Sequence, residues 1–216
     1  MTMDATEQRA REQLCELGRS LFDRGLTAGS SGNLSVQLGD GWLMTPTNVS
    51  LGRLDPATLS KIGFDGALLS GQAPTKERPL HSAIYESRGT ARAVVHLHST
   101  HSVAVSMLLG IDPANVLPPL TPYQVMKVGR LPLIPYHRPG DPQVAQAVRE
   151  LAGRHAAVLL ANHGPVVSGV SLAAACDAVE ELEETAKLFL ALDGKTIRTL
   201  TEEQIDDLRR TFGVNW

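Results

Sequence analysis

The chain has 216 residues and a mass of 23.2 kDa, which suits one large domain or at most two small ones. Lys and Arg number 20 against 23 Asp and Glu, and the net charge of −3 argues against binding nucleic acid or a membrane surface through bulk positive charge. No signal peptide or membrane span is predicted, and Cys15 and Cys176 are expected to be buried free thiols on helices, so we expect a cytoplasmic protein.

In the first half of the chain, apolar periodicity predicts an alternation of helices and strands. The predicted elements are a helix from about Thr6 to Asp23, a glycine- and serine-rich loop at 27–33, strands at 34–38 and 42–45 joined by a Gly39-Asp40-Gly41 hairpin, a helix from Pro79 to about Arg88, and a strand at 93–98.

In the second half, prolines recur between Asn115 and Gly140, so we expect no long helix there. The later predicted elements are a helix opened by Asp141-Pro142 and closed by Gly153, a strand at 157–161 followed by a polar turn at 162–165, a helix capped by Ser171 and ended by Gly194, and a helix with a Thr201/Gln204 capping box that reaches about Phe212. This interleaving predicts one α/β domain over residues 1–216, but the pattern does not say whether the sheet is parallel.

Three histidines are candidate metal ligands. His96 and His98 are two residues apart on a predicted strand, and side chains at that spacing point to the same face. Two histidines that are simply hydrogen-bonded at a strand end would show the same spacing. His163 follows another apolar strand, and a third imidazole arriving there would complete the set of three protein ligands that catalytic zinc uses. His101 fits packing behind the ligands better than metal ligation, and the other histidines are expected to be structural or solvated, namely His81, His137 and His155.

Two further segments carry groups that could act at such a site. The loop Gly29-Ser30-Ser31-Gly32-Asn33 offers backbone N–H groups, hydroxyls and an amide that could hold a phosphate, although a plain turn explains it equally well. Thr45 and Thr47 could add two hydroxyls to the same anion. Glu77 falls at the start of the Pro79 helix, where a carboxylate is either a helix cap or, beside a metal, a general acid or base.

Taken in order, six short segments resemble the class II aldolase and adducin family of small zinc-dependent sugar-phosphate enzymes. The segments are Ser31-Gly32-Asn33-Leu34-Ser35, Thr45-Pro46-Thr47, Lys76-Glu77, His96-Leu97-His98, Asn162-His163-Gly164 and Val179-Glu180-Glu181-Leu182-Glu183. The resemblance covers about residues 9–193. It implies a three-layer α/β/α fold around a mainly antiparallel sheet, assembled as a homotetramer with active sites at subunit interfaces.

The resemblance also implies roles for individual residues. His96, His98 and His163 would bind zinc, with Mn²⁺ or another divalent metal as an alternative. Glu77 would be the catalytic residue and could also ligate the resting metal. The implied substrate-binding residues are Gly32, Asn33, Thr45, Thr47, Thr75, Lys76 and Tyr123.

Departures from the fuculose-phosphate aldolase pattern point to another branch of the family. Asn48 replaces a glycine, which the turn can accommodate because Asn tolerates the left-handed conformation. Lys76 replaces a serine, and the added cation suggests a more anionic substrate. Four further segments look most like the members that decarboxylate 3-oxo-tetronate 4-phosphate in four-carbon sugar-acid catabolism, namely 98–101, 117–123, 125–129 and 135–142. Tyr136, His137 and Arg138 are expected near this site or that of a neighbouring subunit.

The implied reaction is the metal-dependent conversion of 3-oxo-tetronate 4-phosphate to dihydroxyacetone phosphate and CO2. Loss of CO2 would leave an enediolate, which zinc at the C2 and C3 oxygens would stabilise, and Glu77 or water bound to it would protonate C2. Lys76 would pair with the substrate carboxylate or phosphate. An aldolase forms the same enediolate, so a fuculose-phosphate type aldolase, a 4-epimerase and a dehydratase are alternatives. A non-catalytic adducin-like scaffold would require neither Glu77 nor the three histidines.

Overall fold

The computed structural model describes residues 5–216, so the first four residues of the predicted domain lie outside the described part. The helices are α1 (Ala5–Asp23), α2 (Arg78–Ser87), α3 (Thr100–Val105), α4 (Pro122–Lys127), α5 (Pro142–Ala152), α6 (Leu172–Ala191) and α7 (Glu202–Phe212), with a 3-10 turn at Leu51–Arg53. The strands are β1 (Asn33–Leu38), β2 (Gly41–Met44), β3 (Ser60–Gly63), β4 (Leu68–Ser70), β5 (Ala93–His96), β6 (Leu133–Ile134), β7 (Ala157–Leu160) and β8 (Gly164–Gly169).

Across residues 5–216 the eight strands form one sheet in the order β4-β3-β2-β1-β5-β8-β7-β6. Every neighbouring pair is antiparallel except β6 and β7, which are parallel. The mainly antiparallel sheet implied by the resemblance is therefore confirmed. The predicted hairpin of β1 and β2 is confirmed as well, with Leu38 paired to Gly41 at its turn.

Alternation along the central strands divides the core into two layers. Val94 belongs to the apolar cluster formed with α2 and α5 on one face of the sheet. Val95 belongs to the larger cluster formed with α1 and α6 on the other face. The expected three-layer α/β/α fold is thus confirmed, and the face under α2 is the one that carries the site described below.

The helix ends follow the predicted signals closely. Side chains of Asp141, Ser171 and Thr201 each accept a hydrogen bond from a backbone N–H in the first turn of the helix that follows, and Thr201 completes a capping box with Gln204. The prediction that the longest helix ends at Gly194 was wrong, because α6 ends at Ala191. In the described part of the chain, no helix has the length and apolar character needed to cross a membrane.

Both cysteines are free thiols, but they differ in exposure. Cys176 is buried in α6, whereas Cys15 on α1 is only partly buried, which corrects the expectation that both are buried. Burial raises the pKa of Cys15 to about 11 and that of Cys176 to about 12, so both remain protonated thiols near neutral pH.

Candidate metal centre

The candidate metal centre lies at one edge of the sheet, where β1 and β8 begin and β5 ends. Asn33 and His96 are opposite each other in the pairing of β1 with β5, so their side chains point to the same face, the one under α2. Glu77 immediately precedes α2, and His163 immediately precedes β8. Antiparallel pairing therefore brings together residues from four separate parts of the sequence.

The side chains of the four predicted ligands lie close together at this edge of the sheet. Nε2 of His96 lies 3.2 Å from Nε2 of His98 and 3.4 Å from Nε2 of His163. The Glu77 carboxylate lies 3.3 Å from Nε2 of His96 and 3.2 Å from Nε2 of His163. Metal–ligand bonds of about 2.0–2.1 Å in a tetrahedron would place ligand atoms about 3.3 Å apart. The residues therefore fit a divalent ion held by three imidazoles and one carboxylate, and all four ligand atoms lie within 4.8 Å of one another.

The position of His98 does not come from strand alternation as predicted. β5 ends at His96, and His98 lies in the connection to α3, so the predicted strand over 93–98 was two residues too long. Gly164 explains how His98 and His163 nevertheless meet. Its φ is 149°, and a Cβ added there would collide with the carbonyl oxygen of Leu97. This close approach of two backbones leaves the rings of His98 and His163 with centroids 4.7 Å apart.

Hydrogen bonding and burial prepare these side chains for metal binding. Nδ1 of His96 donates to the carbonyl oxygen of Pro165 over 2.8 Å, which leaves the Nε2 lone pair directed at the centre. Burial, followed by the electrostatic effect of its histidine neighbours, lowers the pKa of His98 to about 4, so its imidazole is neutral. Burial opposes ionisation of Glu77, but the neighbouring histidines and Asn33 outweigh it and hold its pKa far below the usual range.

Gly32 lies in the loop that leads into β1 and is pressed against the end of β5. Its φ is 80°, and a Cβ placed there would lie 3.0 Å from the carbonyl oxygen of His96. A side chain at this position would therefore disturb both the loop and the strand that carries a candidate ligand. Asn33 follows directly, and its Nδ2 donates to the Glu77 carboxylate over 2.8 Å. The loop thus contacts the centre itself.

The threonines predicted to bind phosphate lie on two neighbouring segments. The backbone N–H of Thr75 donates to the carbonyl oxygen of Thr45 over 3.1 Å, and that of Thr47 donates to the carbonyl oxygen of Ala73 over 3.0 Å. Thr45 and Thr75 are buried, and each hydroxyl accepts a hydrogen bond from a backbone N–H. Asn48 follows with a φ of 60°, which confirms that Asn takes the left-handed conformation expected at this turn.

Two cavities adjoin the four candidate ligands, and both receive residues from the proline-rich segment. The first is lined in part by Lys76, Glu77, His137, Arg138 and His163. The second, of about 560 Å³, is lined in part by His98, Tyr136, His137 and His163. The segment therefore reaches the centre of its own chain and brings the Arg138 guanidinium to the first cavity. Tyr123 is exposed on α4 and lines neither of these two cavities.

Glu183 on α6 belongs to one of the six family segments, but its role was not predicted from the sequence. Its carboxylate accepts hydrogen bonds from the backbone N–H groups of His101 and Ser102, over 2.9 Å and 2.8 Å, and from the side chains of both residues. Together these bonds hold the start of α3, two residues after His98. His101 is therefore bonded to Glu183 behind the centre and does not belong to the four converging side chains.

Comparison with known proteins gives concordant matches along almost the whole chain. The family model described as Class II Aldolase and Adducin N-terminal domain matches residues 12–190. The 3-oxo-tetronate 4-phosphate decarboxylase of Cupriavidus necator is 50% identical over 216 residues, which are 98% of this chain and 100% of that protein. The decarboxylase of the same name from Escherichia coli K12 is 52% identical over 204 residues, 94% of this chain and 96% of its own length.

A solved structure and a more distant relative complete the comparison. The crystal structure of YgbL from Escherichia coli superposes with a TM-score of 0.92 at 51% identity, covering 94% of this chain and 99% of that one. The L-fuculose phosphate aldolase of Escherichia coli K12 is 33% identical over 185 residues, 84% of this chain and 83% of that enzyme. Similarity thus falls markedly between the proteins named decarboxylase and the one named aldolase.

Proposed function

The chain belongs to the class II aldolase and adducin family, and from that premise we propose that it is a metal-dependent 3-oxo-tetronate 4-phosphate decarboxylase. The observation that carries the proposal is the convergence of Glu77 with three imidazoles at distances that fit one divalent ion. About half of the aligned positions are identical to those of proteins named for this reaction, over nearly the whole length of those proteins. This identity supports the choice of substrate. An adducin-like scaffold would require none of these four side chains.

We propose that His96, His98 and His163 hold Zn²⁺, with Mn²⁺ as the alternative, and that Glu77 faces the same ion. Imidazole nitrogens suit zinc, and with three of them as the permanent ligands a substrate oxygen could displace the Glu77 carboxylate from the fourth position. When bound, the cation supplies Lewis-acid stabilisation of the negative charge that remains after CO2 leaves. Metal analysis of protein purified without chelator, followed by reconstitution with Zn²⁺ or Mn²⁺, tests this assignment.

The reaction breaks the C1–C2 bond of the β-keto acid. CO2 leaves, the electron pair of that bond stays on C2 and C3 as an enediolate, and one proton must then reach C2 to give dihydroxyacetone phosphate. Glu77 is the acid/base group at the centre, and we assign the delivery of this proton to it or to water that it holds. Asn33 donates to one oxygen of the carboxylate and so fixes how Glu77 is presented to the substrate.

We assign recognition of the two substrate anions to groups around the centre. Lys76 and Arg138 line the cavity that also contains Glu77, so they can pair with the substrate carboxylate or phosphate. The remaining predicted phosphate contacts are Gly32, Asn33, Thr45, Thr47 and Thr75. Lys76→Ala should raise KM about tenfold or more through the loss of a charge-assisted contact, whereas exposed Lys187→Ala should not. Unchanged KM and kcat in Lys76→Ala would contradict this role.

A product assay decides the function directly. Metal-loaded protein is incubated with 3-oxo-tetronate 4-phosphate, and dihydroxyacetone phosphate and CO2 are both measured. We expect the two products in equal amounts, and Glu77→Gln should lower kcat by roughly 10²- to 10⁴-fold because general acid/base catalysis is lost. Parallel incubation with fuculose 1-phosphate tests the aldolase alternative. Cleavage of that substrate, without CO2 release from the first, would overturn the decarboxylase assignment.

We also propose that the enzyme is a cytoplasmic homotetramer. Free thiols at Cys15 and Cys176 fit a reducing compartment. Apolar side chains directly after α3 are exposed in one copy of the chain, with Leu109 98% exposed and Met107 51% exposed, and a second copy could cover them. Tyr123 could then serve a neighbouring subunit's site. Sedimentation equilibrium of wild type and Leu109→Asp tests the assembly, and a monomeric wild type would refute it.

A further inference from the structure

A continuous chain of hydrogen bonds runs from the Glu77 carboxylate into the interior of the protein. Asn33 Nδ2 contacts Glu77 Oε2 at 2.8 Å, and Asn33 Oδ1 contacts His81 Nε2. His81 Nδ1 lies 2.6 Å from Ser35 Oγ, which in turn lies 2.8 Å from the Tyr85 hydroxyl. The chain therefore links the acid/base residue to two side chains of α2 and two of β1.

Chemistry at the Glu77 end determines the direction of every bond in this chain. An ionised carboxylate only accepts, so the Asn33 group that faces it must be the NH2, and Oδ1 must face His81. His81 must then carry a proton on Nε2, and because burial of the ring lowers its pKa and favours the neutral form, it presents a lone pair at Nδ1. Ser35 has to donate to that lone pair, which leaves its oxygen to accept from Tyr85. Only one tautomer of His81 satisfies all four contacts.

The three middle members of this chain of bonds are buried, which distinguishes it from an incidental surface network. His81 and Ser35 are 0% exposed and Asn33 is 5% exposed, on the sheet face that carries the apolar cluster of α2 and α5. Burying such groups costs free energy unless each finds a partner, and apolar residues would fill the same space without that requirement. His81 lies four residues after Glu77, one helical turn further along α2, so both side chains are on one side of the helix.

We propose that His81, supported by Ser35, is a positioning residue that fixes the Asn33 amide and through it the orientation of the Glu77 carboxylate. Imidazole suits this place because it is a donor at one end and an acceptor at the other. This inference deepens the proposed function, and the kinetic test of it rests on that function. The prediction for the His81 tautomer requires no substrate. His81 itself touches neither the substrate nor the four converging ligand atoms.

The first test reads the tautomer of His81 without any substrate. Two-bond ¹H–¹⁵N correlation spectra of the Zn²⁺-loaded protein, with His81→Gln as the assignment control, should show His81 neutral and protonated at Nε2. A signal for the Nδ1-protonated tautomer would overturn the proposal, because its Nε2 can only accept, and Asn33 would then have to turn its NH2 toward His81 and its oxygen toward Glu77.

The second test compares two substitutions that place the same amide group at different distances from α2. The side-chain amide of Gln reaches about as far as Nε2, so His81→Gln can still donate to Asn33. The shorter amide of Asn reaches only the Nδ1 position, so His81→Asn keeps a partner for Ser35 and loses the donor to Asn33. We expect His81→Asn to lower kcat 10- to 100-fold at unchanged KM, and His81→Gln to retain most of the activity.

Further measurements separate positioning from general destabilisation. Ile84→Val, a buried apolar change on the same helix, destabilises without touching the chain of bonds, so its kcat should match wild type. Visible spectra of Co²⁺-loaded protein should change in His81→Asn and not in Ile84→Val, because the carboxylate beside the ion is reoriented. Equal kcat in the two His81 variants, with identical Co²⁺ spectra, would refute the proposal. Failure of the wild type to decarboxylate the substrate would refute the proposed function instead. The tautomer of His81 and the Co²⁺ spectra would still decide whether His81 positions Glu77.

Discussion

Replacing Glu183 with Gln should destabilise the protein far more than its position outside the four converging side chains suggests. Glu183 is 8% exposed, and its carboxylate accepts four hydrogen bonds, two from backbone N–H groups at the start of α3 and two from side chains. Gln keeps one oxygen, but its NH2 group would face donors that it cannot satisfy. Hydrogen bonds to a charged acceptor contribute about 1.5–3 kcal/mol each. Loss of two such bonds at the lower figure gives about 3 kcal/mol.

Urea denaturation at pH 7, monitored by circular dichroism, measures the difference in the free energy of unfolding between wild type and Glu183→Gln. Glu184→Gln on the same helix is the matched control, because the Glu184 side chain is 70% exposed and its ion pair with Lys187 spans 3.7 Å. Exposed pairs of this kind contribute about 0–1 kcal/mol. A Glu183→Gln protein whose free energy of unfolding lies within about 1 kcal/mol of the control would refute the reasoning.

The same variant should change the pH dependence of stability. Burial raises the pKa of Glu183, but hydrogen bonds from His101 and Ser102 outweigh burial and leave the pKa below its usual value. A carboxyl whose folded pKa is depressed stabilises fully above its unfolded pKa of about 4.3, and that contribution is lost as the pH falls through the lower folded pKa. The stability difference between wild type and Glu183→Gln should therefore be constant from about pH 7 to 5 and shrink below about pH 4.

Metal affinity supplies an independent measurement on Glu183→Gln. Because Glu183 holds His101 and Ser102, three and four residues after His98, its loss should loosen that ligand and weaken Zn²⁺ binding by about tenfold. Competition with a chromophoric chelator measures the dissociation constant. Affinity equal to that of Glu184→Gln would show that α3 keeps its place without the carboxylate.

Two further predictions concern the centre itself. Gly164→Ala should lower the free energy of unfolding by about 1–3 kcal/mol and abolish Zn²⁺ binding, because the added Cβ would collide with the carbonyl oxygen of Leu97, which lies between two candidate ligands. Calorimetric titration with Zn²⁺ checks this prediction, and an affinity equal to that of wild type would contradict it. Removing the metal with a chelator should lower the free energy of unfolding by about 2.7 kcal/mol from its value at a metal concentration 100-fold above the dissociation constant. In His163→Ala, denaturation curves recorded with and without chelator should give the same free energy of unfolding. A difference that persists in this variant would exclude His163 as a ligand.

Much of the local structure could be predicted from the sequence because its causes are local. The caps at Asp141, Ser171 and Thr201 are hydrogen bonds within three residues of the helix start, so residue type and spacing are sufficient. The left-handed turn at Asn48 is likewise a property of one residue. Of the site, the candidate ligands were predicted from the histidine spacing and from the order of the family motifs, without knowledge of the fold.

Strands that depend on distant partners were missed for the opposite reason. β4 has three residues and no buried side chain, and β8 begins with Gly164 and Pro165, which are typical of turns. Each becomes a strand because a neighbour pairs with it, at Ile62 for β4 and at His96 for β8. The end of β5 at His96 is set by the same pairing, which is why the predicted strand was too long.

The sequence by itself determined the fold family, the helix ends and which residue types could bind a metal, because these follow from short-range patterns and recognisable motifs. Only the tertiary structure decided how those residues work together. Glu183 lies 82 residues from His101, and His81 lies 48 residues from Asn33, so no local pattern connects either pair. Their contacts exist because antiparallel strands and the helices on both faces bring distant segments to one edge of the sheet, where buried polar groups must find partners.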